Sequence, residues 1–160
     1  MRTWVLVAAL AAFSGSPLAA ESPASTAGLK WSWHIAPSAQ SGARDEVDLI
    51  FIADIAPGWI LYSSDFTADL GPRPATFTFS TGDAVALVGP IEAVGSQKAK
   101  DRTWGTQYAY FAGRAEFRQK IRLSRDVASV DARVEGQTCH EADGLCELFK
   151  ESLSVKVQRP

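Results

Sequence analysis

The sequence predicts an all-β protein that folds as an antiparallel β-sandwich. Short extended segments recur about every ten residues, turn-forming residues separate them, and no stretch has a sustained helical period. A closed barrel is the other all-β arrangement that fits such a pattern, and we favour the sandwich.

Nine extended segments can be assigned, with turn signals such as Pro57-Gly58 and Ala112-Gly113 between them. The segments are residues 30–35, 47–55, 59–63, 75–80, 84–88, 106–111, 115–123, 129–134 and 153–157.

The polarity of three segments predicts their position in the sheets. Segments 115–123 and 153–157 alternate apolar and polar residues, so each should have one face on the core and one in water. Segment 47–55 is apolar on both faces from Leu49 to Ile52, which indicates a central strand covered on both sides.

The first 20 residues have the pattern of a cleavable signal peptide. Arg2 precedes an apolar run from Trp4 to Phe13, and small residues follow up to Ala20. The run is much shorter than the ~20 residues that cross a bilayer, and no later segment is long and apolar enough. We therefore expect residues 1–20 to be removed on export, residues 21–28 to form a flexible leader, and the mature chain not to insert in the membrane.

Residues 29–160 are expected to form one domain, because about 140 mature residues suffice for a single core. Without Arg2 the chain has 15 basic against 18 acidic residues, a net charge of about −3, and it has no basic run. Nucleic acid is therefore not an expected partner.

Cys139 and Cys146 are the only cysteines of the chain. A structural disulfide is the commonest fate of such a pair in an exported protein. The loop-entropy model, however, gives so short a loop only about 2.5 kcal/mol, against ~4.7 for a loop of ~100 residues. Thiol-disulfide exchange also needs two cysteines, one to attack and one to resolve the mixed disulfide, so the residues alone leave both interpretations open.

Neighbouring residues do not decide between these interpretations. A protonated His140 would favour a thiolate at Cys139, whereas Glu141 and Asp143 would oppose it. Cys139, His140 and Cys146 could hold a soft metal ion such as Cu(I) or Zn, but spacing indicates no fourth ligand and an oxidised pair cannot bind one. We expect neither a metal nor a cofactor.

Five features, taken in chain order, resemble the N-terminal periplasmic domain of the thiol:disulfide interchange protein DsbD. They are residues 30–33, 55–63, 71–75 and 115–117 and the late cysteine pair, and the resemblance spans roughly residues 29–157. It implies an immunoglobulin-like sandwich in the periplasm whose cysteine pair relays reducing equivalents to other exported oxidoreductases. In this family Cys146 would form the mixed disulfide with partners and Cys139 would resolve it.

The resemblance also implies partners. They would be thioredoxin-like periplasmic proteins, together with a separately encoded membrane electron carrier, since a full interchange protein contains such a carrier and this chain does not. The chain would then be a component of a protein-disulfide reductase system. The alternative is a non-catalytic exported β-sandwich that binds another protein, with the cysteines as a structural disulfide.

In the family an aromatic residue on a loop covers the cysteine pair, and residues 101–105 occupy the corresponding place. Trp104 would be this cap, although ordinary packing would equally explain it. Tyr62 could flank the pair, or it could be a buried tyrosine with a satisfied hydroxyl group. The chain departs from the family after the second cysteine, where Glu147-Leu148-Phe149 replaces the usual prolines, and in a slightly longer cysteine spacing.

Overall fold

The computed structural model describes residues 27–38, 45–67, 70–100 and 105–158, and these form ten β-strands. The strands are β1 (Leu29–Pro37), β2 (Glu46–Ile55), β3 (Trp59–Tyr62), β4 (Thr76–Thr81), β5 (Val85–Ala93), β6 (Gln97–Lys100), β7 (Gln107–Ala112), β8 (Arg114–Leu123), β9 (Val127–His140) and β10 (Cys146–Gln158). Within these ranges no helix is long and apolar enough to span a membrane. The expected signal peptide lies outside the described residues, as does most of the expected leader.

The strands form two antiparallel sheets. One has the order β1-β2-β8-β5, and the other has the order β10-β9-β3-β7-β6, with β4 also paired to β9. The sheets pack face to face, and among the described strands none pairs one sheet with the other, so the prediction of a sandwich is confirmed and the barrel alternative is wrong.

The core lies between the two sheets and is rich in aromatic rings. The ring of Phe77 on β4 lies 4.9 Å from that of Phe117 on β8 and 5.6 Å from that of Phe51 on β2, measured between centroids. Trp31 on β1 is 6.0 Å from Phe149 on β10. Each of these contacts joins one sheet to the other, and full burial of such a side chain stabilises the fold by about 1.5–3 kcal/mol.

The strand polarities predicted from the sequence are confirmed. β2 lies between β1 and β8 and is buried on both faces from Leu49 to Ala53. Phe117, Ile121 and Leu123 of β8 point into the core.

Three strands, β5, β9 and β10, extend well beyond their predicted segments, and β6 was missed. β9 and β10 extend to the cysteines. This extension was not predicted because the added residues are mostly polar or exposed and do not continue the apolar alternation. β5 continues past Gly89-Pro90 through an irregularity in its pairing with β8 between Val88 and Glu92. β6 was missed because its Gln-Lys-Ala-Lys sequence has no apolar alternation, and lysines are typical of such an edge strand.

β9 positions the cysteines because both of its edges are paired. β10 runs along one edge, while β4 pairs with Val130–Glu135 and β3 with Thr138–His140 on the other. The chain leaves this edge after Tyr62 and returns at Ala75, whose backbone N–H donates to the carbonyl oxygens of Tyr62 and Ser63, each at 3.2 Å. The end of β9 that carries Cys139 is thus held between β10 and β3.

Candidate active site

Cys139 and Cys146 lie opposite each other in the hairpin formed by β9 and β10. They are direct partners in the antiparallel register, with Cα atoms 4.0 Å apart, and their sulfur atoms form a disulfide. This separation is close to the ~4.5 Å of a narrow antiparallel pair, so the hairpin itself brings the two cysteines within bonding distance.

The turn of this hairpin, residues 141–145, is closed by its own hydrogen bonds. The backbone N–H of His140 donates to the carbonyl oxygen of Leu145 at 2.7 Å, and that of Gly144 donates to the carbonyl oxygen of His140 at 2.9 Å. Gly144 has a φ of 70°, a left-handed conformation that glycine adopts without steric cost.

The side chain of Asp143 makes two further contacts within the turn. Its Oδ1 accepts the backbone N–H of Leu145 at 3.0 Å and lies 2.9 Å from Nδ1 of His140. The backbone N–H of Leu145, and secondarily the His140 ring, hold the pKa of Asp143 below its ordinary value. Asp143, one of the two carboxylates expected to oppose a thiolate, is therefore engaged within the turn.

β3 and the residue before it support the hairpin from the other side. The buried hydroxyl of Thr138 donates to the carbonyl oxygen of Ile60 at 2.7 Å, and the N–H of Glu141 donates to that of Gly58 at 2.8 Å. The ring of Trp59 lies 5.4 Å from that of His140. A Cβ atom at Gly58 would lie only 2.9 Å from Nε2 of His140, so this close approach requires glycine.

The two cysteine residues differ in exposure. Cys139 is only 6% exposed, whereas Cys146 is exposed at the start of β10. Two large apolar side chains near Cys146 are also exposed, Leu145 at 53% and Leu148 at 60%. Cys146 is therefore the more exposed residue of the pair.

Of the two predicted flanking residues, Tyr62 is among the described residues and Trp104 is not. Tyr62 lies two residues after Ile60, the β3 partner of Cys139, and so lies on the same face of the sheet as the cysteine pair. Its ring is 5.4 Å from that of Tyr108. Its flanking role stays a prediction, as does the capping role of Trp104, which lies outside the described residues.

Gln137 is a site residue that the sequence analysis missed. Its Nε2 lies 3.5 Å from Sγ of Cys139, and its Oε1 accepts the backbone N–H of Arg73 at 3.0 Å. Its position two residues before Cys139 would have been a signal only if the segment 129–134 had been predicted to reach the cysteine, because residues two apart on a strand share a face.

A comparison with protein families identifies the family of the chain. The model of the family described as thiol:disulfide interchange protein DsbD, N-terminal, matches residues 32–157. No curated protein sequence matches the chain.

Three solved structures are similar to the chain at low sequence identity. The reduced DsbD N-terminal domain of Neisseria meningitidis is 16% identical, with a TM-score of 0.46, over 72% of this chain and 80% of that one. The complex of the DsbD and PilB N-terminal domains from the same organism is 14% identical, with a TM-score of 0.47, over 78% of this chain and 80% of that one. The N-terminal periplasmic domain of ScsB from Proteus mirabilis is 13% identical, with a TM-score of 0.46, over 77% of this chain and 49% of that one.

The family model covers most of the chain, including both cysteines, the β3 segment and the hairpin turn. The chain therefore belongs to the family of the N-terminal domain of the thiol:disulfide interchange protein DsbD.

Proposed function

We propose that this domain relays reducing equivalents between exported proteins by thiol-disulfide exchange at Cys139 and Cys146. The observation that carries this proposal is the unequal exposure of the two cysteine residues that form one disulfide. Exchange needs one sulfur that a partner can reach and a second that remains close by to complete the reaction. A purely structural disulfide has no need of an exposed sulfur.

The relay consists of two exchanges. A donor thiolate attacks Sγ of Cys146, the Cys139–Cys146 bond breaks, and its electron pair goes to Cys139 as a thiolate. The donor's second thiolate then releases Cys146, so that the donor dithiol becomes a disulfide and this domain becomes a dithiol.

In the second exchange the Cys146 thiolate attacks the disulfide of an acceptor protein and forms a mixed disulfide. Cys139 then attacks Cys146, which restores the original disulfide and releases the acceptor as a dithiol. Cys146 is thus the sulfur that meets partners and Cys139 the sulfur that resolves.

The proposed partners are thioredoxin-like periplasmic proteins and a separately encoded membrane electron carrier, with this domain working in the periplasm as a component of a disulfide reductase system. The exposed Leu145 and Leu148 beside Cys146 offer apolar surface for such a protein to cover. An open cleft of about 480 Å³ begins at Leu148 and is bordered by Arg73 and Lys150, which extends this surface along β10.

The reduction potential of the cysteine pair tests the proposal. We expect a value well above about −300 mV when the mature protein is equilibrated in glutathione or dithiothreitol buffers, because exchange proteins have such potentials. A value below about −300 mV would favour the alternative, a binding domain with a structural disulfide.

Single-cysteine variants test which cysteine meets partners and which resolves the mixed disulfide. Cys139→Ser leaves the exposed Cys146, which should react rapidly with 5,5′-dithiobis(2-nitrobenzoate) and retain a mixed disulfide. Cys146→Ser leaves the buried Cys139, which should react slowly. Equal rates in the two variants would contradict the roles.

A further inference from the structure

The side chain of Gln137 contacts both the sulfur of the buried Cys139 and the loop that precedes β4. Gln137 lies on β9 two residues before Cys139, and so projects from the same face of the strand. Its side-chain amide contacts both the Cys139 sulfur, at 3.5 Å, and the backbone N–H of Arg73, at 3.0 Å.

The contact with Arg73 determines which end of the Gln137 amide faces the sulfur. A backbone N–H can only donate a hydrogen bond, so the amide oxygen must face Arg73. The NH₂ group is then directed at Cys139, where it can donate to a negatively charged sulfur. The loop therefore holds the amide in the orientation in which it acts as a donor.

A donor at this position matters because Cys139 is buried. At 6% exposure a thiolate loses most of its hydration, and burial without a partner disfavours the charged form. Its β3 neighbour Ile60, itself only 8% exposed, offers an apolar side chain. A hydrogen bond to the charged sulfur offsets part of this penalty.

We propose that Gln137 stabilises the Cys139 thiolate by hydrogen bonding in both exchanges of the relay, an inference that rests on the proposed function. When a donor thiolate attacks Cys146, the electron pair of the broken disulfide arrives on Cys139, and Gln137 stabilises this leaving group. When Cys139 attacks Cys146 to release an acceptor, Gln137 increases the fraction of Cys139 that is ionised. The same amide thus assists electron transfer into the domain and out of it.

The acidity of a thiol affects its rate of attack in two ways, through the fraction that is ionised and through the nucleophilicity of the thiolate. Together these determine how much the loss of the Gln137 donor should slow the resolving step. Loss of the donor should move the titration midpoint of Cys139 upward by about one pH unit, which lowers the thiolate fraction about tenfold at neutral pH. The more basic thiolate is about threefold more nucleophilic, since the Brønsted coefficient is ~0.4–0.5. The resolving step should therefore slow about threefold.

Two substitutions test the proposal. Gln137→Met removes the donor and keeps a side chain of similar length. Gln137→Glu removes the donor but keeps an oxygen that can accept the Arg73 N–H, so the loop contact is retained. Gln158→Met, at the opposite end of the β9–β10 ladder, is the matched control.

The reaction of the reduced protein with 5,5′-dithiobis(2-nitrobenzoate) separates the two cysteines. Attack by Cys146 releases the first thionitrobenzoate and leaves the second on Cys146; Cys139 then attacks Cys146 and releases it. We expect both Gln137 variants to slow only the second release, about threefold for Gln137→Met and more for Gln137→Glu, whose carboxylate also repels the thiolate. The control should leave both phases unchanged.

A direct titration provides the second readout. In a Cys146→Ser background the ultraviolet absorbance of the remaining thiolate reports Cys139 alone, and Gln137→Met should shift its midpoint upward by about one pH unit. An unchanged midpoint and second phase, or equal slowing of both phases, would overturn the proposal. Neither readout depends on the reduction potential, so a potential below about −300 mV would refute the relay without deciding the role of Gln137.

Discussion

Cys139 and Cys146 are chemically identical residues in different environments. This difference in environment defines the site at the scale of single residues. Cys139 is buried and lies between β3 and β10 in the sheet, whereas Cys146 is exposed at the start of β10. The sequence identified both cysteines because they are the only ones, but not which is accessible, since exposure depends on strands far away in the chain. It missed Gln137 for the same reason, because Arg73, which orients the Gln137 amide, lies 64 residues earlier.

The capping role of Trp104 is testable at this scale. If the indole shields the cysteine pair, Trp104→Ala should increase severalfold the rate at which reduced Cys146 reacts with a small disulfide reagent. Trp33→Ala is the matched control, because Trp33 is a partly exposed indole, at 37%, on the opposite sheet. Equal rates for Trp104→Ala and the wild-type protein would remove the capping role.

At the scale of elements, the β9–β10 hairpin holds the disulfide and the β2–β3 turn supports it. Gly58 in that turn has a φ of 80° and leaves no room for a Cβ atom beside His140. The sequence marked Pro57-Gly58 as a turn but gave no reason to connect it with the cysteines. The connection arises because β3 pairs with the last residues of β9.

Gly58→Ala should therefore cost more than backbone strain alone. Left-handed φ costs an alanine about 1–2 kcal/mol, and displacement of His140 should add about 1 kcal/mol or more. Gly113→Ala is the control, since Gly113 has a φ of 74° and a Cβ atom there meets none of the described atoms within 4 Å. Free energies of unfolding in urea compare the two variants, and equal losses would show that His140 moves aside without cost.

At the scale of the whole molecule, the core and the redox site occupy different parts of the sandwich. The core lies between the sheets and includes Trp31, Phe51 and Phe117, whereas Cys139 projects from β9 on the face opposite to the buried Val134 and Thr138. Stability from burial between the sheets is therefore largely independent of whether the disulfide is formed.

The reduced protein should consequently remain folded. Opening so short a loop should lower the free energy of unfolding by about 2.5 kcal/mol, less than the ~5–15 kcal/mol typical of a domain. Urea unfolding followed by tryptophan fluorescence, with and without dithiothreitol, measures this difference, and a Cys139→Ser, Cys146→Ser double variant is the control without reductant. Unfolding on reduction would contradict the prediction and would favour a structural role for the disulfide.

The sequence by itself determined the all-β class, the central position of β2, the inward face of β8 and the cysteine pair, because these follow from residue type and a period of two along the chain. Only the tertiary structure decided the length of β9 and β10, the existence of β6, the unequal exposure of the two cysteine residues and the contacts of Gln137 with Cys139 and Arg73. These features depend on pairing between residues distant in sequence, and polar strand ends carry no periodic signal that would reveal such pairing.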